Sequence, residues 1–171
     1  TIESKSVIVA TGASARWLDL PRKEVFQGNG VSTCATCDGF FYKDKDVIVV
    51  GGGDSAMEES IFLTKYASSV TVIHRRDELR ASEIMQDRFF AKDKTNIIWS
   101  TEVVEYLGDK EQGITGVTLH DNETGEEYEY DCDGVFLAIG HEPNTSFLEG
   151  LVDLDSRGYV ETDNKTHTGC E

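Results

Sequence analysis

The stretch KDKDVIVVGGGDSAMEESIFLTKYASSVTVIHRRDELR, residues 43–80, decides how this chain folds. Val47 to Val50 form a short unbroken apolar run, as expected of a parallel strand covered on both faces. Gly51, Gly52 and Gly53 form a turn. From Asp54 to about Tyr66, the apolar residues Ala56, Met57, Ile61, Phe62 and Leu63 recur at mostly helical spacing, and Asp54 or Ser55 stands where a helix cap belongs. Val70 to Ile73 supply the next strand. Strand, glycine turn, helix, strand is the opening of an α/β fold on a parallel sheet.

Toward the C-terminus, a second helix is predicted from Asp77 to about Lys92, with Asp77 and Glu78 placing negative charge at its start. NIIW (96–99) and TEVVEYL (101–107) read as strands. ITGVTLHDNETGEEYEYDCDG (114–134) alternates apolar and polar residues around a polar turn, which predicts an antiparallel hairpin. GVFLAIG (134–140) returns to the buried-strand pattern, and Tyr159 to Thr162 form one more short strand. Toward the N-terminus, SVIVATGAS (6–14) reads as a buried strand, β-branched at Val7, Ile8 and Val9. ARWLDLPRKEVFQGNGVS (15–32) reads as a connector. The expected architecture is a Rossmann-like three-layer α/β fold, a parallel sheet with an antiparallel β-meander or hairpin on one side.

A chain of 171 residues with 39% apolar and 28% charged residues can build one solid core. Its net charge of −16 repels phosphate backbones and anionic membrane surfaces, so neither nucleic acid nor membrane is an expected partner. No apolar run approaches the length of a membrane span, and the N-terminal residues show no basic leader or signal core. Four cysteines are too few for a secreted disulfide scaffold, which points to a reducing cytoplasm.

The turn contributes Gly51, Gly53 and Ala56 in the pattern G-x-G-x-x-A, directly after a strand and before a helix. The first glycine permits the tight turn, the second lets a pyrophosphate approach the backbone, and the small third residue lets helix pack close to strand. The free N–H groups and positive dipole end of the helix then suit the pyrophosphate. A dinucleotide is therefore the expected ligand. An NAD site would carry an acidic residue about 20 positions further on. Here the second strand ends instead in His74, Arg75 and Arg76, with Arg80 following. Guanidinium groups suit the 2′-phosphate that distinguishes NADPH.

VSTCATCDGFF (31–41) places Cys34 and Cys37 three apart, with Asp38 next to the second. By itself the motif is compatible with half of a zinc site, with a turn that packs two thiols, or with a redox pair. Zinc needs further ligands, and only His167 and Cys170 in HTGC offer a second unit. No metal site is assigned. A dithiol beside an NADPH module places an electron acceptor next to a donor, although relays from nicotinamide to disulfide usually run through a flavin.

CATCDGFF, GGGDSAMEE, HRRDELRAS and GVFLAIGHEPN, in this order and at these spacings, resemble the low-molecular-weight bacterial or archaeal thioredoxin reductases. The resemblance implies a two-domain flavoprotein with an FAD/NAD(P)-binding fold, in which an FAD domain split in sequence is interrupted by an NADPH domain carrying the cysteines. Residues 31–145 would form the NADPH and disulfide domain. Residues 1–30 would be the end of the first FAD-domain half with its linker, and 146–171 a linker with the start of the second half. Both FAD fingerprints would lie outside these 171 residues, so the chain alone should neither hold FAD well nor turn over.

Residue by residue, the resemblance assigns Cys37 to the cysteine that lies against the flavin, Cys34 to its disulfide partner, and Asp38 to the acid that manages protons. Gly51, Gly52, Gly53, Asp54, Ser55 and Ala56 belong to the pyrophosphate loop, and His74, Arg75, Arg76 and Arg80 to the 2′-phosphate grip. Ile139 and Tyr159 match positions near the nicotinamide nucleotide, and Thr11 and Gly12 a flavin-side turn. Thioredoxin is the implied partner. The family also implies a homodimer with a large domain rotation, for which the loop-like stretches 13–30 and 141–147 are the expected hinges; the 171-residue chain is expected to be monomeric. The competing readings are a stand-alone NADPH-sensing module and a zinc-binding domain.

Overall fold

A computed structural model describes residues 3–163, 167 and 168. The chain runs through β1 (Ala13–Ala15), α1 (Lys23–Phe26), β2 (Val31–Ser32), α2 (Ala35–Asp38), β3 (Asp46–Val50), α3 (Asp54–Leu63), β4 (Ser69–Ile73), α4 (Glu83–Phe90) and β5 (Thr95–Ile98). It continues through β6 (Thr101–Asp109), β7 (Gly113–Asp121), β8 (Glu127–Asp131), β9 (Gly134–Leu137) and β10 (His141–Pro143). These elements fall into two compact units, residues 16–140 and residues 1–15 with 141–171.

In the larger unit, β2, β9, β3, β4 and β5 form a five-stranded sheet in that order, and every pairing is parallel. Successive side chains of a strand face opposite sides of its sheet. Accordingly Val47 and Val49 of β3 join one core cluster with Ala56, Met57 and Leu63 of α3 and Phe89 of α4. Ile48 and Val50 join another, with Val103, Tyr106, Val117 and Leu119 of the antiparallel meander β6-β7-β8. Helices, parallel sheet and meander thus form the three layers expected. Each fully buried Val, Leu or Ile contributes about 1.5–3 kcal/mol, so burial on both faces makes this sheet the stable base of the unit.

Several expectations are corrected. The predicted helix from Asp77 begins only at Glu83, because residues 75–82 bond elsewhere. The Gly52 carbonyl accepts from the Arg80 and Ala81 N–H groups at 2.7 and 3.1 Å, and the Asp54 carboxylate accepts from the Ser82 N–H at 2.7 Å. Asp54 is the first residue of α3, not its cap; Gly53 occupies that position, and the helix ends at Leu63 where turns carry the chain on to Tyr66. The strand expected from Val7 to Val9 is not formed. Among the described residues nothing pairs with it, and Val7 and Ile8 are 78% and 92% exposed.

In the smaller unit, β1 pairs antiparallel with β10, so the stretches 13–30 and 141–147 are not loop throughout. The short strand from Tyr159 reduces to a single bridge between Leu154 and Val160. No helix among the described residues is long and apolar enough to cross a membrane.

Candidate nucleotide and disulfide site

The cysteine motif forms the one-turn helix α2, and Cys34 and Cys37 are joined by a disulfide with their Cα atoms 5.3 Å apart. Cys34 occupies the cap position in extended conformation, its Sγ lying 3.2 Å from the Cys37 N–H. Its own N–H donates to the Ser32 hydroxyl at 3.0 Å, which ties the turn to the end of β2. Sulfurs bonded to each other are not thiolate ligands, so this arrangement speaks against half of a zinc site. His167 lies among the described residues but Cys170, the other member of that reading, lies outside them. Asp38 closes α2 and is part-exposed.

Cys132 presents the opposite chemistry. It is a free thiol, 5% exposed, and burial pushes its pKa up to about 12. Such a thiol is inert toward exchange, leaving Cys34 and Cys37 as the reactive pair among the described residues.

The glycine turn follows β3. Gly51 has a φ of +152°, and a Cβ there would meet the Ala138 carbonyl oxygen at 2.5 Å and the Ala56 side chain at 3.0 Å. Gly52 lies against the imidazole of His74, with no space for a methyl group between them. Gly53 faces open space, as the glycine approached by a phosphate should. These residues border a cleft of about 550 Å³, also lined by Asp54, Ser55, His74, Arg75, Arg76, Arg80 and Ile139.

Arg75, Arg76 and Arg80 are exposed, and among the described residues none is engaged in an ion pair. Their loop is held at both ends. The Arg75 carbonyl accepts from Asn122 Nδ2 at 3.2 Å, the Arg76 carbonyl from the Ser100 N–H at 3.0 Å, and Asp54 takes both the N–H and the hydroxyl of Ser82. His74 differs from the arginines. It is only 6% exposed, and its Nε2 lies 2.8 Å from the Glu78 carbonyl oxygen, so its ring supports Gly52 from below.

In the smaller unit, Gly12 has a φ of +66° and Thr11 is bonded both ways to Asn144: the Thr11 hydroxyl donates to the Asn144 carbonyl at 2.7 Å, and Asn144 Nδ2 donates to the Thr11 carbonyl at 3.0 Å. Tyr159 is 45% exposed, with the Arg157 guanidinium 5.5 Å from its ring centre.

Sequence reasoning passed over Ser82 and Asn122, because both act through backbone and tether contacts that no local pattern announces.

The whole chain, residues 1–171, matches the family model described as pyridine nucleotide-disulphide oxidoreductase. The chain belongs to that family. Within it, the chain is 54% identical over 158 residues to the thioredoxin reductase of Streptomyces clavuligerus, covering 92% of this chain and 48% of the relative. It is 53% identical over 166 residues to that of Mycolicibacterium smegmatis, covering 97% of this chain and 53% of the relative. The chain thus spans about half the length of the curated relatives it matches. Among solved structures, the Lactococcus lactis thioredoxin reductase superimposes with a TM-score of 0.89 at 42% identity, over 97% of this chain and 55% of that one. The FAD/NAD(P)-type fold expected from the sequence is therefore the fold of this family member.

Proposed function

We propose that this chain is the NADPH-binding and redox-disulfide part of a thioredoxin-disulfide reductase. The observation that carries the reading is the pairing, in one compact unit, of the Cys34–Cys37 disulfide with a glycine-turn cleft bordered by Arg75, Arg76 and Arg80. The resemblance to thioredoxin reductases over nearly the whole chain supports it.

The residues present fit a dinucleotide phosphate. Gly51 lacks the Cβ that would crowd the backbone, Gly53 leaves open space on the cleft side, and the start of α3 offers N–H donors to a pyrophosphate. Arg75, Arg76 and Arg80 supply guanidinium groups for a 2′-phosphate. His74 holds Gly52 in place, and Ile139 gives the cleft an apolar wall toward a nicotinamide. Thr11 and Gly12, with Tyr159 in the same smaller unit, are proposed for the flavin side and the nucleotide, respectively. When bound, NADPH would supply two electrons as a hydride, and FAD would offer the flavin chemistry that lets such electrons reach a disulfide. On this chain, Cys34 and Cys37 hold those electrons as a dithiol, and Asp38 exchanges protons with the Cys37 sulfur as thiolate forms. Thioredoxin is the proposed electron acceptor.

The domain division is proposed with residues 31–145 as the NADPH and disulfide domain, flanked by segments of an FAD domain at 1–30 and 146–171. The full protein is proposed to be a cytoplasmic homodimer and this chain a monomer.

Two measurements test the reading. The full-length gene product should carry flavin absorbance and reduce thioredoxin with NADPH; a colourless, inactive full-length protein would overturn it. The 171-residue chain should bind NADPH more tightly than NADH, and Arg75→Ala with Arg76→Ala should erase most of that preference, roughly tenfold or more. Equal affinities in the native chain, measured by calorimetry, count against the cofactor assignment.

A further inference from the structure

Three consecutive backbone carbonyls just after β4 are all taken by donors from the neighbouring connections. The His74 carbonyl accepts from the Thr101 N–H at 3.0 Å, the Arg75 carbonyl from Asn122 Nδ2 at 3.2 Å, and the Arg76 carbonyl from the Ser100 N–H at 3.0 Å. Two of the donor residues are also bonded together. The Asn122 N–H donates to the Ser100 carbonyl at 2.7 Å, and the Ser100 hydroxyl donates to Glu123 Oε1 at 2.6 Å. The turn between β7 and β8, which carries Asn122 and Glu123, is closed on itself: the Asp121 carboxylate accepts the Glu123 and Thr124 N–H groups at 2.8 and 2.9 Å. Ser100 is 9% exposed and has a φ of +50°, a left-handed conformation that a residue other than glycine keeps where its surroundings fix it.

Arg75 and Arg76 line the cleft and Asn122 and Glu123 do not, so the turn reaches a ligand through the backbone that it holds. An arginine that pairs with a phosphate must be ordered, and the ordering costs least when the peptide units that carry it are already fixed. We propose that Asn122 and Glu123 are positioning residues for the 2′-phosphate grip, and that the β7–β8 turn thereby sets the preference for a 2′-phosphorylated nucleotide. Asn122 acts through the Arg75 carbonyl, and Glu123 acts through Ser100, whose N–H holds the Arg76 carbonyl. The assignment rests on the NADPH reading above and deepens it. The far end of the same loop is held separately, by Asp54 on Ser82.

Glu123 also sets a sign. A carboxylate near a phosphate site lowers its affinity if charge is all that it contributes. The tether gives the opposite result, because removing the acceptor oxygen frees the Ser100 hydroxyl and loosens the peptide that carries Arg76.

The experiment uses the 171-residue chain and two probes, adenosine 2′,5′-bisphosphate and 5′-AMP, which differ only in the 2′-phosphate; calorimetry gives both dissociation constants. The native chain should bind the bisphosphate more tightly. Equal affinities overturn the NADPH reading, and this assignment with it. In Asn122→Ala the ratio of the two affinities should fall about three- to tenfold, the worth of one hydrogen bond, while AMP binds as in the native chain. If the native chain discriminates and Asn122→Ala keeps the ratio, or weakens both probes alike, the assignment is overturned and the NADPH reading stands. Glu123 supplies a second test that does not depend on the first variant. Glu123→Ala should lower the ratio by a similar factor, and Glu123→Gln, which keeps an acceptor oxygen for the Ser100 hydroxyl, should hold it at or above the native value. A ratio that Glu123→Ala leaves unchanged or raises overturns the positioning role of Glu123.

Discussion

Gly52 and His74 act as one object at the floor of the cleft. The imidazole is buried, bonded to the Glu78 carbonyl, and in contact with the glycine backbone, so a side chain at position 52 has nowhere to go. Gly52→Ala should cost about 1–3 kcal/mol of stability by urea unfolding and weaken NADPH binding, since the ring that must move is held on its far side. Glu59 makes a second prediction at this scale, one of pH. The group ionises at its ordinary 4.5 in the unfolded chain and near 7 in the folded one. Between those values the folded state binds more protons, so stability declines as pH rises through the window. Glu59→Gln removes that slope. Its urea midpoint relative to the native chain should improve between about pH 4.5 and about pH 7, and a constant difference would refute the burial argument. The glycine pattern and the arginine pair were legible in the sequence because each residue type does its work locally. His74 was read there as part of a cationic grip, and its packing under Gly52 was not legible, because it depends on how β4 sits beside β3.

At the scale of elements, the loop at residues 75–82 shows why helix periodicity is a weak guide beside a binding turn. Asp77 and Glu78 look like a helix start, yet the Gly52 carbonyl and the Asp54 carboxylate take the N–H groups of Arg80, Ala81 and Ser82. Those bonds would be lost if the helix began earlier, so α4 starts only after Ser82. The same bonds hold three arginines along one cleft. Asp54→Ala should free the loop and lower NADPH affinity by about tenfold in calorimetry, with far-UV dichroism unchanged. Ser82→Ala, which keeps the backbone bond, should cost less. If Asp54→Ala binds NADPH as well as the native chain does, the loop is held by other contacts.

Across the whole molecule, both core clusters lie within residues 16–140. The parallel sheet, the helices on one face and the meander on the other complete each other within that segment. Expressed alone, it should therefore unfold cooperatively in urea and retain NADPH binding within about threefold of the 171-residue chain, a change under 1 kcal/mol. A non-cooperative transition would show that the core borrows from the remaining residues.

The sequence by itself determined the parallel strands, the antiparallel hairpin, the glycine turn with the arginines beyond it and two cysteines three apart, whose chemistry it left open. Each of these is written in residue types whose conformational or chemical preference acts over a few positions. Only the tertiary structure decided where α4 begins, that Val7 to Val9 form no strand, that His74 packs against Gly52 and that one carboxylate oxygen of Glu59 is buried without a hydrogen-bond partner among the described residues. The physical reason is common to all four. Whether a backbone N–H, an imidazole or a carboxylate finds a partner depends on residues distant in sequence, and burial, which sets the cost of leaving it without one, is a property of the packed layers.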